Sequence, residues 1–397
     1  MERELVIVGA GISGLGFAHL AVQKGQKPLL IEATGRIGGA IHSHEFSGAD
    51  GGCWVELGAH TSYNSYGTFI DILSSLGTLE KIRAKRDLPF RLLTGGRVRG
   101  IPGALSIPGL LMSLPRVLWL RTRGATAREY FGGITGSRNF ERVVGPALDA
   151  MTCQPAAEFP ADALFRKKPR RKGVLRSFTG PTGLSCLIEP IVRQPGLDLR
   201  AGVAAERLEK LSDGYRLWLA DGSSITAETV VLAVAPDVAG HLLRDVSPEL
   251  ARACGAIAMA EIDSLGVMFP VGASSLRPLA GIIAHDDSFY SALSRDTVAD
   301  PNYRSFTFHF RPGSDLQRHL ARACDVLGLA PGEVLGHIAK RNRLPALRTG
   351  HDARVAALDR QLAAGRLGLI GNWFSGVSIE DSLLRAAAEF TRLNPAV

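Results

Sequence analysis

The sequence predicts an α/β protein built around a Rossmann-like dinucleotide-binding domain, and three features near its start support this. An apolar run over residues 6–8 leads directly into the pattern Gly9-x-Gly11-x-x-Gly14. A helical pattern follows, and the next apolar run ends at an acidic residue, Glu32. Strand, glycine-rich turn, helix and acid-terminated strand stand in the order that binds dinucleotides.

Each glycine of this turn has its own task. Gly9 permits the tight turn, Gly11 lets the backbone approach a pyrophosphate, and Gly14 lets the helix pack closely on the strand. The helix then begins at Ile12 and Ser13, where free N–H groups and the positive end of the helix dipole face the phosphates. The sequence therefore predicts a phosphate-binding turn over residues 9–14.

The acidic residue predicts the kind of nucleotide. Glu32 lies where a carboxylate can accept hydrogen bonds from a ribose hydroxyl, with Ala33 directly after it. A carboxylate at this point disfavours a 2′-phosphate, so we do not expect NADP here.

Composition limits the classes of partner. The chain has 397 residues, enough for two or three modules, and is 46% hydrophobic and 21% charged. Its net charge of +8 suits anionic partners such as acidic small molecules or anionic lipid, but it fits general surface charge equally well. No segment resembles a nucleic-acid-binding module. We interpret the basic run over residues 166–172 as a solvated loop.

Cysteine usage indicates a reducing compartment. The five cysteines are odd in number, widely spaced and form no Cys-x-x-Cys pair, which argues against a disulfide framework and against zinc. The first residues lead directly into a strand, so we expect no signal peptide and a cytoplasmic location.

Further elements follow from hydrophobic periodicity and turn residues. Predicted helices cover residues 67–76, 110–121, 138–151, 316–327 and 379–392. Predicted strands cover residues 197–200, 215–219, 229–234, 305–310 and 367–372, with a hairpin turn at Asp221-Gly222.

These elements predict two domains that are discontinuous in sequence. Residues 1–85, 185–236 and 346–397 form the dinucleotide-binding domain. Residues 86–184 and 237–345 form an inserted α+β substrate domain with a helical insertion.

One apolar stretch, residues 101–115, has two interpretations. It is too short to cross a bilayer and is broken by prolines and glycines. It fits the lining of an apolar substrate pocket. With Trp119 after it and Arg121 and Arg123 nearby, it also fits a peripheral contact with a membrane surface.

Separated motifs together resemble the FAD-dependent amine oxidase superfamily, and in particular its protoporphyrinogen oxidase-like branch. The motifs are Glu32-Ala33-x-x-Arg36-x-Gly38-Gly39, Glu56-Leu57-Gly58, Gly350-His351-x-x-Arg354-Val355 and the segment from Gly371 to Asp381. The resemblance implies a glutathione-reductase-like flavoprotein fold. It covers both ends of the chain well and the two inserted regions only loosely.

The resemblance implies a set of cofactor-binding residues. Arg36 offers charge to the diphosphate, and Gly38 and Gly39 let the backbone approach it. The helix that opens after the C-terminal turn would direct its N-terminus at the flavin pyrimidine edge and stabilise negative charge there. The implied set is Gly9, Gly11, Ile12, Ser13, Gly14, Glu32, Ala33, Arg36, Gly38, Gly39, Ala40, Gly58, Ala59, His60, Val203, Ala233, Gly371, Asn372, Val377, Ser378 and Ile379.

Two residues are catalytic candidates. His60 is expected beside the flavin ring and is equally well explained as a satisfied loop histidine, and Trp373 would stack near the ring. The C-terminal turn has no cysteine, so we expect FAD to be bound non-covalently.

The implied activity is an FAD-dependent oxidase or dehydrogenase acting on a small molecule. It would remove a hydride from a carbon next to nitrogen or from a ring that gains aromaticity, with dioxygen or another small electron acceptor. An anionic tetrapyrrole precursor could meet Arg91, Arg97 or Arg99, whereas an amine or amino-acid derivative would suit the short insertions. A redox-neutral isomerase or mutase, and a membrane-associated flavin-binding protein without turnover, stay open.

Overall fold

The computed structural model describes residues 2–47, 53–113, 119–164 and 166–395. Its strands are β1 (Glu2–Val8), β2 (Leu29–Glu32), β3 (Ser43–Glu45), β4 (Trp54–Glu56), β5 (Ser62–Tyr63), β6 (Arg83–Ala84), β7 (Phe90–Thr94), β8 (Arg97–Gly100), β9 (Ser177–Thr179), β10 (Asp198–Ala201), β11 (Ala205–Leu211), β12 (Gly214–Leu219), β13 (Ser224–Leu232), β14 (Met259–Pro270), β15 (Gly281–Ala284), β16 (Phe289–Ser294), β17 (Tyr303–Phe310), β18 (Gly336–Pro345) and β19 (Leu367–Leu369).

The helices bury one face against these strands. They are α1 (Ile12–Gln23), α2 (Gly67–Ser75), α3 (Ile107–Ser113), α4 (Ala127–Thr135), α5 (Ser137–Asn139), α6 (Gly145–Thr152), α7 (Ala161–Leu164), α8 (Ser185–Ile188), α9 (Pro236–Leu242), α10 (Pro248–Gly255), α11 (Leu316–Leu327), α12 (His351–Leu362) and α13 (Ile379–Leu393). None of the described helices is long and apolar enough to cross a membrane.

The first sheet places the nucleotide-binding segments at one edge. Its described strands run in the order β10-β2-β1-β13-β12-β11, and β19 pairs with β13. Strands β10, β2, β1, β13 and β19 are parallel to one another, so the turn after β1 and the acid that ends β2 meet at their carboxyl ends. The buried apolar residues of β1 and β13 suit a strand covered on both faces.

Helices α1 and α13 pack together on this sheet. The ring of Phe17 meets that of Phe390 edge-on, with centroids 5.3 Å apart. Both rings belong to one buried apolar cluster with Leu15 and Leu383. This contact fixes the last helix of the chain beside the helix that follows the phosphate turn.

The second sheet carries the opposite side of the molecule. Its described strands run in the order β18-β14-β17-β16-β15-β7-β8, antiparallel except between β15 and β7. A cluster of buried phenylalanines, among them Phe306 and Phe308, packs between this sheet and α11. The two-stranded β3-β4 ribbon packs on the second sheet, where Ser305 Oγ donates to the Trp54 carbonyl at 2.9 Å.

Most predicted elements are confirmed, and two predictions need correction. The helix predicted over residues 110–121 is wrong in its bounds, since α3 already begins at Ile107 and residues 119–121 are not helical, while residues 114–118 lie outside the described part. The helix predicted over residues 138–151 exists but contains a π-helical turn at Phe140–Val144. The β7-β8 hairpin was not predicted, because an edge rich in arginine and glycine lacks the expected alternation. The two-domain division of the sequence stays a prediction.

Candidate active site

The glycine-rich turn closes tightly on its neighbours. The Gly9 amide donates to the Ile31 carbonyl at 2.7 Å, which joins the ends of β1 and β2. A methyl group on Gly14 would lie 1.9 Å from the Gly9 carbonyl oxygen, so helix α1 approaches the turn as closely as only glycine allows. A methyl group on Gly11 would have only the Gly39 Cα within 4 Å, at 3.9 Å. Space is therefore open at Gly11 and absent at Gly14.

The N-terminus of α1 is available to an anion. Its cap residue, Gly11, has no side chain that could cap it, and the first turn holds no acidic residue. Ile12 and Ser13 are buried. A twelve-residue helix with an uncapped N-terminus at the carboxyl edge of a parallel sheet suits a phosphate group.

Glu32 is held in place by three hydrogen bonds. Its carboxylate accepts from the Ala10 amide, the Thr34 amide and the Thr34 hydroxyl, each at 2.9 Å. Its carbonyl accepts from the Val203 amide at 3.1 Å, while Ala33 beside it is exposed. The structure thus brings together, at the end of β2, Glu32, which is predicted to bind the ribose, and Val203, another member of the implied set.

Arg36 braces its own loop. Its guanidinium donates to the carbonyls of Ile37, Ile41 and Gly39 at 2.7–2.9 Å. That loop lies against the phosphate turn, because the Gly38 amide donates to the Ala10 carbonyl at 2.7 Å. The predicted positive charge is therefore present, but most N–H groups of the Arg36 guanidinium are used on backbone carbonyls of the loop.

Two basic residues that sequence analysis missed join this cluster. Lys340, from β18 of the second sheet, reaches the Gly39 carbonyl at 3.5 Å. Burial and the nearby Arg36 lower the Lys340 pKa to about 8. Burial and the same cations lower the His42 pKa to about 4, and its buried Nδ1 has no partner among the described residues. No ion pair to a described carboxylate balances Arg36 or Lys340, so an anion fits here.

The loop Gly38–Ala40 leads from the phosphate turn to a large cavity. The Ala59 amide donates to the Ala40 carbonyl at 2.8 Å. The cavity has a volume of about 850 Å³. Its lining includes six predicted site residues, namely Ala40, Gly58, Ala59, His60, Asn372 and Val377. Residues of β14–β18 and α6 line the opposite wall, so the cavity lies between the two sheets.

The C-terminal turn closes one end of the cavity. Ser378 caps α13 by accepting from the Asp381 amide at 3.1 Å, and Ile379 is buried. Lys168 pairs with the buried Asp381 at 2.8 Å and donates to Ser378 Oγ at 2.8 Å. The basic run over residues 166–172 was interpreted as a solvated loop. That interpretation is wrong for Lys168, which fixes the run to the start of α13.

Two other predictions disagree with the positions of the side chains. Trp373 is fully buried, stacks on Phe374 and donates through Nε1 to the Val234 carbonyl at 3.0 Å, so its ring packs in the core and does not line the cavity. The cavity lining also excludes Arg91, Arg97 and Arg99, which lie on the β7-β8 hairpin at the sheet edge. The basic residues that do line it are Lys85, Arg86 and Arg176.

A buried chain of hydrogen bonds orients His60. Asn342 Nδ2 donates to the Leu57 carbonyl at 2.7 Å and to Ser264 Oγ at 2.8 Å. Ser264 Oγ lies 3.0 Å from His309 Nδ1, and His309 Nε2 lies 2.8 Å from His60 Nε2. Burial lowers the His309 pKa to about 4 and the His60 pKa well below its usual value, so both rings are neutral.

This chain has two possible arrangements of its protons. The Leu57 carbonyl only accepts, which fixes the orientation of the Asn342 amide. If Ser264 donates to His309 Nδ1, then His309 donates through Nε2 to His60, and His60 carries its proton on Nδ1. If Ser264 Oγ instead accepts from His309 as well as from Asn342, then His60 donates through Nε2 and its Nδ1 is an acceptor.

Two further residues, Glu56 and Lys85, support the same loop from opposite ends. Glu56 accepts from the Leu184 amide at 2.7 Å and from Ser43 Oγ at 2.8 Å, and burial raises its pKa to about 7. Lys85 donates to the His60 carbonyl and to Thr61 Oγ1, both at 2.8 Å, and burial lowers its pKa to about 8. Residues 56–61 are therefore fixed from both ends.

The fold and this arrangement define a flavoprotein oxidoreductase of the dinucleotide-binding type. The family model described as NAD(P)-binding Rossmann-like domain matches residues 7–76, and the one described as flavin containing amine oxidoreductase matches residues 111–316. The chain belongs to the flavin-containing amine oxidoreductase family. Its cofactor is FAD, and the predicted fold class and family resemblance are confirmed.

Three known proteins illustrate the likeness. The flavin-dependent L-tryptophan oxidase of Lentzea aerocolonigenes is 30% identical over 87 residues, which are 22% of this chain and 18% of that protein. A protein of Exiguobacterium sp. 255-15 assigned as a protoporphyrinogen oxidase has a similar structure, with a TM-score of 0.79, 20% identity and 98% of each chain covered. A fatty acid isomerase of P. acnes gives a TM-score of 0.75, 14% identity and 99% of each chain. The two structural likenesses show the fold, and the curated relative is matched over less than a fifth of its length.

Glu56→Gln should change how stability depends on pH. The folded-state pKa of about 7 exceeds the ordinary value of 4.5, so the proton on Glu56 stabilises the fold below pH 4.5 and this contribution is lost as pH rises through 7. Glutamine can still accept from the Leu184 amide, and its NH2 group can donate to Ser43 Oγ as the protonated acid does, but it cannot ionise. Relative to wild type, the variant should gain about 3 kcal/mol of unfolding free energy across this range, measured by urea unfolding.

The matched control is the exposed Glu80 changed to Gln. If the difference in unfolding free energy between Glu56→Gln and wild type stays constant with pH, the pKa of Glu56 is not raised in the folded protein.

Proposed function

We propose that this protein is an FAD-dependent oxidase or dehydrogenase that removes a hydride from a C–N or ring-activated carbon of a small molecule. The observation that carries the proposal is the cavity between the sheets. Residues Gly58–His60, which the loop Gly38–Ala40 joins to the phosphate turn, line this cavity. Asn372 and Val377 of the C-terminal turn line it as well. A redox ring held there would face the second sheet, which forms the remaining wall.

The described residues fit FAD along one continuous path. Open space at Gly11, the uncapped start of α1 and the unbalanced cations Arg36 and Lys340 suit the diphosphate. Glu32 and Val203 suit the ribose and adenine. The full predicted set is kept as the proposed contact set, namely Gly9, Gly11, Ile12, Ser13, Gly14, Glu32, Ala33, Arg36, Gly38, Gly39, Ala40, Gly58, Ala59, His60, Val203, Ala233, Gly371, Asn372, Val377, Ser378 and Ile379, with Lys340 and His42 added.

The chain supplies orientation and electrostatics. When bound, FAD provides the acceptor for the hydride. Val377, just before the start of α13, lines the cavity, and the helix dipole there is partly offset by Glu380 and Asp381 in the first turn, the second of which pairs with Lys168. In the arrangement in which Ser264 donates to His309, the neutral His60 offers its Nδ1–H as a donor and has no free lone pair with which to take a proton from substrate.

Two substrate classes and one alternative type of reaction compete within this proposal. The structural likeness to an assigned protoporphyrinogen oxidase favours a ring that gains aromaticity. The family and the tryptophan oxidase relative favour an amine or amino-acid derivative. The likeness to a fatty acid isomerase keeps a redox-neutral reaction as the alternative. For the oxidase, dioxygen is the proposed final acceptor.

Anaerobic mixing tests the proposal. The purified yellow protein is mixed with tryptophan, putrescine, protoporphyrinogen and a polyunsaturated fatty acid, and the flavin absorbance is followed. Lasting bleaching that air reverses with release of peroxide supports the oxidase. Turnover without net bleaching and without an acceptor would support the isomerase instead.

Gly11→Ala should purify without colour. The added methyl group meets open space in the protein itself, so the fold is kept, but it fills the place where a diphosphate would contact the backbone. The measurements are flavin content and thermal unfolding, compared with wild-type apoprotein. Stoichiometric FAD in a normally folded variant would contradict this position for the diphosphate.

Lys340→Met should weaken the binding of FAD by about 2 kcal/mol, which is the scale of a charge-assisted hydrogen bond to phosphate. Riboflavin, which lacks the diphosphate, should bind the variant and wild-type apoproteins equally. Arg341→Met is the control on the same strand, since Arg341 is exposed and pairs with Asp263. Equal losses for FAD and riboflavin would show that Lys340 acts on the loop rather than on an anion.

A peripheral membrane contact is part of the proposal. Met112 at the end of α3 is 81% exposed and Trp119 is 85% exposed, near the exposed Arg121 and Arg123. Apolar side chains beside cations suit an anionic lipid surface.

Trp119→Glu should lower flotation with anionic liposomes. The control is Leu335→Glu, which changes an exposed apolar residue directly before β18 and should leave flotation unchanged. If wild type and Trp119→Glu float equally, this segment is not the contact.

A further inference from the structure

The cavity has one polar and one apolar wall. Its apolar side comes from α6 and from strands of the second sheet, with Ala147, Ala150, Met151, Ile283 and Leu344. Its polar side groups around His60 and Lys85, which are connected through the 2.8 Å bond from Lys85 Nζ to the His60 carbonyl. A substrate that shares this space with the redox ring meets an apolar surface and one polar region.

Lys85 is a cation without an ion pair. Its ammonium uses donors on the His60 carbonyl and Thr61 Oγ1, which leaves one of its three hydrogens. No described carboxylate lies within 4.0 Å of Nζ, and Glu56 acts on it only from a longer distance. A largely buried ammonium without a bonded carboxylate is costly unless a ligand supplies the charge.

The other groups nearby are also donors. His60 Nδ1 has no partner among the described residues, and it carries a proton in the arrangement in which Ser264 donates to His309. Ser291, a 1% exposed residue paired with His309 across β16 and β17, lines the cavity, and its buried hydroxyl likewise has no partner in the described part. Lys85 is bonded to His60, and Ser291 lies beside the histidine that His60 contacts, so the three groups are arranged around one histidine pair.

We propose that the substrate is a carboxylic acid with an apolar body, and that Lys85, His60 Nδ1–H and Ser291 hold its carboxylate. This rests on the proposed function and names its substrate class. An ammonium and two neutral donors match the lone pairs of a carboxylate. The apolar wall then receives the remainder of the molecule.

The lining of the cavity carries few acidic side chains, which also suits an anionic ligand. Among the described lining residues, Asp87 is the acidic one, and it is exposed at the rim. Arg86 and Arg176 add positive charge to the same lining. An ammonium-bearing substrate without a carboxylate would meet no buried counter-charge at the lining.

The test uses the holoenzyme and a matched pair of probes, phenylacetate and phenylacetamide. Binding is measured by calorimetry and by the change in flavin absorbance. The acid should bind at least about tenfold more tightly than the amide, the effect of one charge-assisted hydrogen bond. Lys85→Met should abolish this preference, and Lys85→Arg should keep part of it.

Ser291→Ala is a variant that should fold normally, because the Ser291 hydroxyl makes no hydrogen bond among the described residues. It should weaken the binding of phenylacetate several-fold and leave the binding of phenylacetamide unchanged. Arg99→Met, outside the cavity, should change neither. Flavin content and thermal unfolding are recorded for every variant. Equal binding of acid and amide to wild type, no saturable binding of the acid, or an undiminished preference in Lys85→Met overturns the carboxylate anchor. Loss of FAD or of flavin bleaching by every substrate would count against the proposed function instead.

Discussion

The close approach of the loop Gly38–Ala40 to its neighbours is the constraint on which the site depends. One end of the loop is bonded to the carbonyl of Ala10 beside the phosphate turn, and the other accepts the amide of Ala59 beside the cavity. Arg36 bonds to three carbonyls in and around it. Because one short loop touches both places, the phosphate turn and the cavity wall keep a fixed relation.

The same loop concentrates positive charge that no ion pair among the described residues neutralises. Arg36 lies near the Lys340 side chain from the second sheet and lowers the Lys340 pKa, while Glu32 offsets part of the effect of burial on the Arg36 pKa. Like charges brought together at the junction of two sheets oppose folding unless an anion joins them. The cofactor diphosphate that the family uses would therefore stabilise the contact between the sheets as well as bind to it.

The sequence predicted the first sheet well and the cavity poorly, for a physical reason. The phosphate turn and Glu32 are near in sequence, and glycine spacing plus apolar periodicity report local backbone needs. Lys340, His309 and Ser264 come from strands far along the chain, and only the register of an antiparallel sheet brings them to the site. Trp373 illustrates the opposite error: its position in a motif was right, and its side chain turned to the core.

This division has a consequence for how such a protein acquires a substrate. The residues proposed to hold the nucleotide are braced largely by backbone bonds. The polar wall is different, because His60 is connected in turn to His309, Ser264 and Asn342. A change at any one of these three residues shifts the balance between the two proton arrangements, and with it whether His60 Nδ1 donates to or accepts from a ligand. Under the proposed function, substrate preference would therefore depend on a few interior side chains of the second sheet.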